Sequence, residues 1–132
     1  MSVDGGLRQI FRERLSAFDF VTVEMGVSGT GAPDMNYCYD GTEGWIEAKA
    51  CDHWRIKVRP EQVGWVERRL AHGGRVYVAV RRARRELWLF HGVAIRLLKD
   101  ARLDAVPSLG TWTGGPSSWD WAVIATFLTG KA

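Results

Sequence analysis

The stretch from Gly31 to Gln62 leaves this chain few folds to choose from. Two short strings, Ala32-Pro33-Asp34 and Trp45-Ile46-Glu47-Ala48-Lys49-Ala50, flank Asp40-Gly41-Thr42-Glu43-Gly44, a turn signal with two glycines. The local reading is a β-hairpin. Side chains alternate along a strand, so Glu47 and Lys49 share one face, while Ile46, Ala48 and Ala50 point toward an apolar core. If Asp40 opposes Trp45, then Cys38 opposes Glu47, Asn36 opposes Lys49 and Asp34 opposes Cys51. A register shifted by two residues sets Asp34 opposite Lys49. In both registers two carboxylates and an ammonium converge on one face of a sheet. A helix follows over Glu61 to His72, with Pro60 suited to its first turn, Val63, Val66 and Leu70 as its buried stripe, and Gly73-Gly74 ending it. Arg75 to Val80 is β-branched and aromatic, a strand. The strand–helix–strand unit from Trp45 to Val80 implies a right-handed crossover and a parallel pair, hence an α/β domain.

The residues on that face have a chemical use. Two carboxylates hold a hard divalent cation such as Mg²⁺, which prefers oxygen ligands and keeps several waters. A metal-bound water is a better nucleophile at neutral pH, and the metal neutralises charge on a phosphate oxygen. A lysine alongside orients the water or stabilises developing negative charge. Each fragment alone has a blander meaning: Glu-x-Lys is usually a solvated strand face, and Pro-Asp a turn pair. The argument rests on their combination, thirteen positions from Asp34 to Glu47 bridged by a hairpin, with a glutamine-bearing helix after them.

Gly31-x-Pro33-Asp34, then Glu47-Ala48-Lys49, then Gln62 in the following helix resembles the PD-(D/E)xK nuclease superfamily. Within it the pattern looks most like the virus-type replication-repair nucleases and small Holliday-junction resolvases. The resemblance covers roughly residues 5 to 90. It implies a restriction-endonuclease-like core, a mixed sheet of about five strands flanked by helices. It implies metal ligation by Asp34, Glu47 and the Ala48 backbone carbonyl, service to the water by Lys49, and support of the site by Gln62. The cofactor implied is Mg²⁺, with Mn²⁺ able to substitute. Relatives often carry an extra acid; Glu13 on the first helix is the best match, and Glu24 is a second candidate.

With 132 residues, one domain is expected, the motif region followed by an extension over residues 91 to 132. The first ten residues hold no long apolar run, which argues against a secretory signal, and Trp121 to Leu128 is too short to span a membrane. The two cysteines, Cys38 and Cys51, make no disulfide framework and read as free thiols in a reducing cytoplasm. Cys51 and His53 lack the second ligand pair of a structural zinc site. The net charge is only +3, but it is unevenly placed. Trp54 to Arg85 carries ten basic residues and two acids, a balance of +8; the remaining chain has eight basic residues and thirteen acids, a balance of −5. A basic band beside an acidic metal site suits a phosphodiester substrate. Its candidate DNA-binding residues are Arg55, Lys57 and Arg59 before the helix, and Arg81, Arg82, Arg84 and Arg85 in a later turn. Trp54 either packs or stacks on a base.

Elsewhere, Gly5 to Ala17 reads as a helix capped by Asp4, with Leu7, Ile10, Phe11 and Leu15 inward. Phe20 to Met25 reads as a strand, and Gly26 to Gly31 as a glycine-rich loop without the lysine of a phosphate-binding P-loop. Glu86 to Phe90 is a fifth strand, and His91 to Lys99 a short helix with Val93, Leu97 and Leu98 inward. Pro107 to Ser118 reads as a loop. Ser118 caps a last helix whose stripe is Trp119, Ala122, Val123, Thr126 and Phe127. With Trp119, Trp121 and Phe127 that helix has more aromatic surface than one stripe requires: either it, with the strand Glu86 to Phe90, contributes to a homodimer contact, or both tryptophans lie against the chain's own core or cap its open sheet edge. The expected activity is a metal-dependent DNA endonuclease acting on branched DNA. The alternatives are a repair, restriction or phage-type nuclease on duplexes, flaps or ends, a nucleic-acid-binding module without chemistry, and an interaction protein using its seven tryptophans.

Overall fold

The computed structural model describes residues 3–23 and 30–130. In chain order it forms α1 (Leu7–Arg14), β1 (Asp19–Thr22), β2 (Met35–Tyr39), β3 (Thr42–Cys51), α2 (Pro60–Ala71), β4 (Val76–Arg82), β5 (Glu86–His91), α3 (Ile95–Asp100), β6 (Gly110–Trp112) and α4 (Trp121–Thr129). The class is mixed α/β, as expected, with six strands in sequential order rather than about five. The sixth lies in the segment expected to be a loop, where Gly110 to Trp112 pairs with Leu87 to Leu89. All neighbours are antiparallel except β3 and β4, whose parallel pairing runs from Trp45–Val76 to Cys51–Arg82. A parallel pair needs a crossover, and α2 supplies it.

The sheet separates two apolar layers. On one face α1 and α4 bring Leu7, Phe11, Ile124 and Leu128 onto Ile46, Ala48, Tyr77 and Ala79. On the other, α2 and α3 bring Val63, Val66, Ile95 and Leu98 onto Val76, Val78 and Val80. β4 is therefore covered on both sides over Val76 to Val80, which is why that part reads as an unbroken apolar run.

The hairpin register differs from the one read off the sequence. Tyr39 opposes Thr42 and Met35 opposes Ile46, so the loop is Asp40-Gly41 alone. Both residues have positive φ, 49° and 79°, the signature of a tight type I′ turn. Gly44 belongs to β3, opposite Tyr37; a Cβ on it would come within 2.3 Å of the tyrosine oxygen. Continuing the pairing one step past Met35–Ile46 sets Asp34 beside Glu47, rather than beside Lys49 or Cys51.

Other expectations change for identifiable reasons. Val93 and Leu97 are exposed; the inward residues of that segment are Ile95 and Leu98, because a 3-10 turn over Gly92–Ala94 precedes α3 and rotates it. The cap of α4 is Asp120, whose carboxylate accepts the Val123 N–H, not Ser118. That starts the helix later and turns Ile124 and Leu128 inward, with Val123 on the surface. Trp119 is 3% exposed and Trp121 packs edge-on against Phe11 at 5.2 Å, so both tryptophans lie against the chain's own core, Trp121 and Phe127 staying partly exposed. Nor is β5 an edge, since β6 pairs with it. Trp54 packs against Trp88 within the second core layer. The expected strand over Phe20 to Met25 is β1 as far as Thr22, and Glu24 to Gly29 lie outside the described residues. Cys38 and Cys51 are free thiols. Among the described residues no helix is long and apolar enough to cross a membrane.

Candidate active site

β2 stops short of its partner, and that is how the site begins. The ladder with β3 ends at Met35–Ile46, and Pro33 has no N–H to extend it. The Asp34 carboxylate replaces the missing strand: its Oδ2 accepts the Ala48 N–H at 2.8 Å. In an extended strand the N–H and C=O of one residue face the same neighbour, so the Ala48 carbonyl also faces the Asp34 side. Glu47 projects to the opposite face from Ile46 and Ala48 and is 3% exposed.

Gln62 ties this strand end to α2. It occupies the third position of the helix, and its Oε1 accepts the Arg59 N–H at 2.9 Å at the helix start. The same oxygen accepts from Lys49 Nζ at 3.2 Å, while its Nε2 donates to Glu47 Oε2 at 2.9 Å. Lys49 Nζ also lies 3.2 Å from Glu47 Oε2. Both Glu47 bonds therefore fall on Oε2, and the Asp34 bond on Oδ2. Among the described residues no side-chain oxygen is both buried and unpartnered, so Asp34 Oδ1 and Glu47 Oε1 open onto the adjoining cleft.

That cleft has a volume of about 960 Å³. Asp34, Glu47, Ala48 and Lys49 line it together with three cations, Arg8, Lys57 and Arg59, and two further acids, Asp4 and Asp52. Burial pushes the Asp34 carboxyl above its usual range, against the lowering effect of the Ala48 N–H and Lys49. Burial, and next the charge of Asp34, push Glu47 up to about 7. Two crowded carboxylates that resist ionisation, each with one oxygen toward a cleft, form a donor set that fits a hard divalent cation. Among the described residues no group of three or more His, Cys, Asp and Glu side chains is arranged for a metal. A cation here would therefore complete its shell with a backbone carbonyl and water.

The structure brings together Asp34, Glu47, Ala48, Lys49 and Gln62, with Lys57 and Arg59 nearby. It does not bring in Glu13, which is exposed on α1 and accepts a bond from Gln9 at 2.9 Å. Glu24 lies outside the described residues. Arg55 turns away, its Nη1 donating to the Asp100 carbonyl at 2.6 Å. Arg81 donates to the Gly5 carbonyl at 2.7 Å, and Arg82 pairs with Glu86 at 2.7 Å while covering Trp54. Both are occupied in holding elements together. Arg84 and Arg85 are exposed at the β4–β5 turn and do not line the cleft. Three charged residues that line the cleft went without a site role from sequence, Asp4, Arg8 and Asp52. The N-cap of α1 is Gly6 rather than the expected Asp4, whose Oδ1 accepts the Gly6 N–H at 2.9 Å while its Oδ2 holds Arg8 Nε at 2.8 Å. The four-residue spacing of Asp4 and Arg8 was the available signal.

Fold and site thus define an α/β fold with a cleft along the second half of β3, lined by carboxylates and cations together. No family model matches the chain, and no curated relative does. Among solved structures it is similar to Hjc, a Holliday junction resolvase from the archaeal hyperthermophile Archaeoglobus fulgidus. The identity is 22%, the match covers 66% of this chain and 74% of the other, and the TM-score is 0.49.

Proposed function

We propose that the protein is a magnesium-dependent DNA endonuclease. The observation that supports this best is the pairing of Asp34 with Glu47, one oxygen of each directed into a cleft that Lys49, Lys57 and Arg59 also line. Asp34, Glu47 and the Ala48 carbonyl are the residues that would hold the metal. Bound there, it supplies an acidified water and neutralises charge on the phosphate. Lys49 is kept in place by Glu47 Oε2 and Gln62 Oε1, so its ammonium is a fixed positive charge in the cleft. It orients the attacking water and stabilises charge that develops on the phosphate oxygens. Gln62 acts through Lys49 and Glu47 as a positioning residue. Lys57 and Arg59 take the phosphate backbone. The sequence resemblance to small junction resolvases directs the substrate proposal to branched DNA, cut by a two-fold pair of chains; duplexes, flaps and ends are the alternatives.

The test is cleavage of a four-way junction, a flap, a duplex and a single strand of equal length, in Mg²⁺, in Mn²⁺ and in EDTA. Metal-dependent cutting that disappears in Asp34→Ala and Glu47→Ala, with DNA binding retained, is the expected result. Paired symmetric nicks on the junction alone would establish resolution, and equal cutting of all duplex forms would leave a general nuclease. A parent protein that binds DNA yet cuts none of the four with either metal would be a binding module, and the nuclease reading would be wrong.

A further inference from the structure

A second concavity lies at the other end of α2. It has a volume of about 530 Å³ and is lined by Trp65, Arg68, Arg69, His72, Gly73 and Gly74. Its lining holds two arginines and a histidine, and no acid. Trp65 meets Trp45 edge-on at 5.2 Å, and the Arg69 guanidinium lies over both rings, 4.6 Å from Trp65 and 5.7 Å from Trp45. Gly74 makes room for that arginine, since a Cβ there would stand 2.6 Å from Arg69 Cγ. Stacking uses the π face of a guanidinium and leaves its N–H donors in the plane, directed outward.

Cations near a helix C-terminus are common, where they meet the last carbonyls. These arginines do not serve that purpose. The carbonyls of Arg68, Arg69 and Leu70 are taken by the backbone N–H groups of His72, Gly73 and Gly74. Among the described residues neither Arg68 nor Arg69 makes an ion pair, whereas Glu67 beside them is taken by Arg96. One arginine stacked on two indoles and a second exposed beside it, with no acid in the lining, are suited to a phosphodiester backbone.

We propose that this groove is a second DNA contact, taking backbone phosphates of the arm that leads away from the cleft, so that α2 sets the spacing between them. The inference rests on the nuclease reading. Arg59 and Gln62 at the start of α2 line the cleft, and His72 just past its end lines the groove. A helix of 12 residues spans about 18 Å, at about 1.5 Å per residue. At about 3.4 Å per base pair that is about five base pairs of duplex. An arm shorter than this reaches the cleft and not the groove.

The experiment is equilibrium binding to labelled four-way junctions whose arms are shortened from twelve to three base pairs, in Ca²⁺ to prevent cutting. The parent should gain affinity severalfold once the arms exceed about five base pairs. Arg68→Glu should remove that gain and leave short-arm affinity unchanged. Its exposed side chain makes no bond to the rest of the chain, so its melting temperature should equal the parent's. Arg69→Gln is the second variant and should behave alike, with some loss of stability from the uncovered indoles. An equal loss at every arm length, no loss at any, or a parent indifferent to arm length would overturn the groove. Those outcomes leave cleavage of short-arm junctions intact, whereas failure of the nuclease reading removes cleavage of every substrate.

Discussion

Glu47 sits where a carboxylate is costly to ionise, and the consequence is measurable without any substrate. Its folded-state pKa is raised from 4.5 to about 7, first by burial and then by Asp34. A raised acid holds its proton in the folded chain at pH values where the unfolded chain has released it. Its stabilising contribution is therefore complete below about 4.5 and is lost as pH rises through about 7. In EDTA the protein should melt higher at pH 5 than at pH 8, by an amount on the order of 3 kcal/mol at most from this group. Glu47→Gln should flatten that dependence, and Mg²⁺ should raise the melting temperature of the parent at pH 8 but not of the variant. A parent whose stability in EDTA does not fall over this window more than the variant's would contradict the buried placement of Glu47. Lys49→Ala should slow cleavage on the order of 10²–10⁴-fold while the Mg²⁺-induced rise in melting temperature persists. Single-turnover rates beside thermal melts separate the two effects.

At the scale of elements, the site depends on how closely the Thr30–Asp34 segment approaches α2. Gly31 has φ of 74°, and a Cβ on it would come within 2.0 Å of the Glu61 carbonyl oxygen. Gly41 has φ of 79° but nothing within 4 Å of such an atom. Gly41→Ala should therefore cost only the left-handed backbone penalty, about 1–2 kcal/mol. Gly31→Ala adds displacement of the first turn of α2 and should cost on the order of 2–4 kcal/mol, with loss of cleavage through Gln62. Urea denaturation of the two variants checks the ordering; equal costs would mean the loop does not rest on α2. The same elements show what the sequence reveals. That Asp34, Glu47 and Lys49 come together was legible from type, order and alternation, that Gln62 joins them only through the family resemblance, and α2 and β4 because their apolar periods are clean. The register was not, because Gly44 resembles a turn residue and its role as the space under Tyr37 is tertiary. The Asp40-Gly41 pair carried the correct signal for a two-residue turn, and that turn alone sets Asp34 beside Glu47. Glu13 was chosen for its position on a helix, and the sequence does not reveal which helix face looks into a cleft.

At the scale of the whole molecule, α4 decides what the second half of the chain is for. It lies on the α1 side of the sheet, and two tyrosine hydroxyls from different strands bond its last carbonyls. Tyr77 donates to Phe127 at 2.7 Å, and the fully buried Tyr37 donates to Leu128. Ile124 and Leu128 are wholly covered. A helix held this way completes the core that β3 needs on the face away from Glu47, so it serves the site by keeping that strand covered. Ile124→Ala should cost about 2–5 kcal/mol, as buried large-to-small changes do. Val123 is 39% exposed on the other side of the helix, and Val123→Asp should be silent in stability. It should also leave the sedimentation coefficient unchanged at micromolar concentration, alone and on a four-way junction. If Val123→Asp converted a parent dimer to a monomer, α4 would be an intermolecular contact after all, and its outer face would belong to the paired-site mechanism. If both proteins form the same complex on the junction, any two-fold pair is built from other surfaces, and α4 acts only within its own chain.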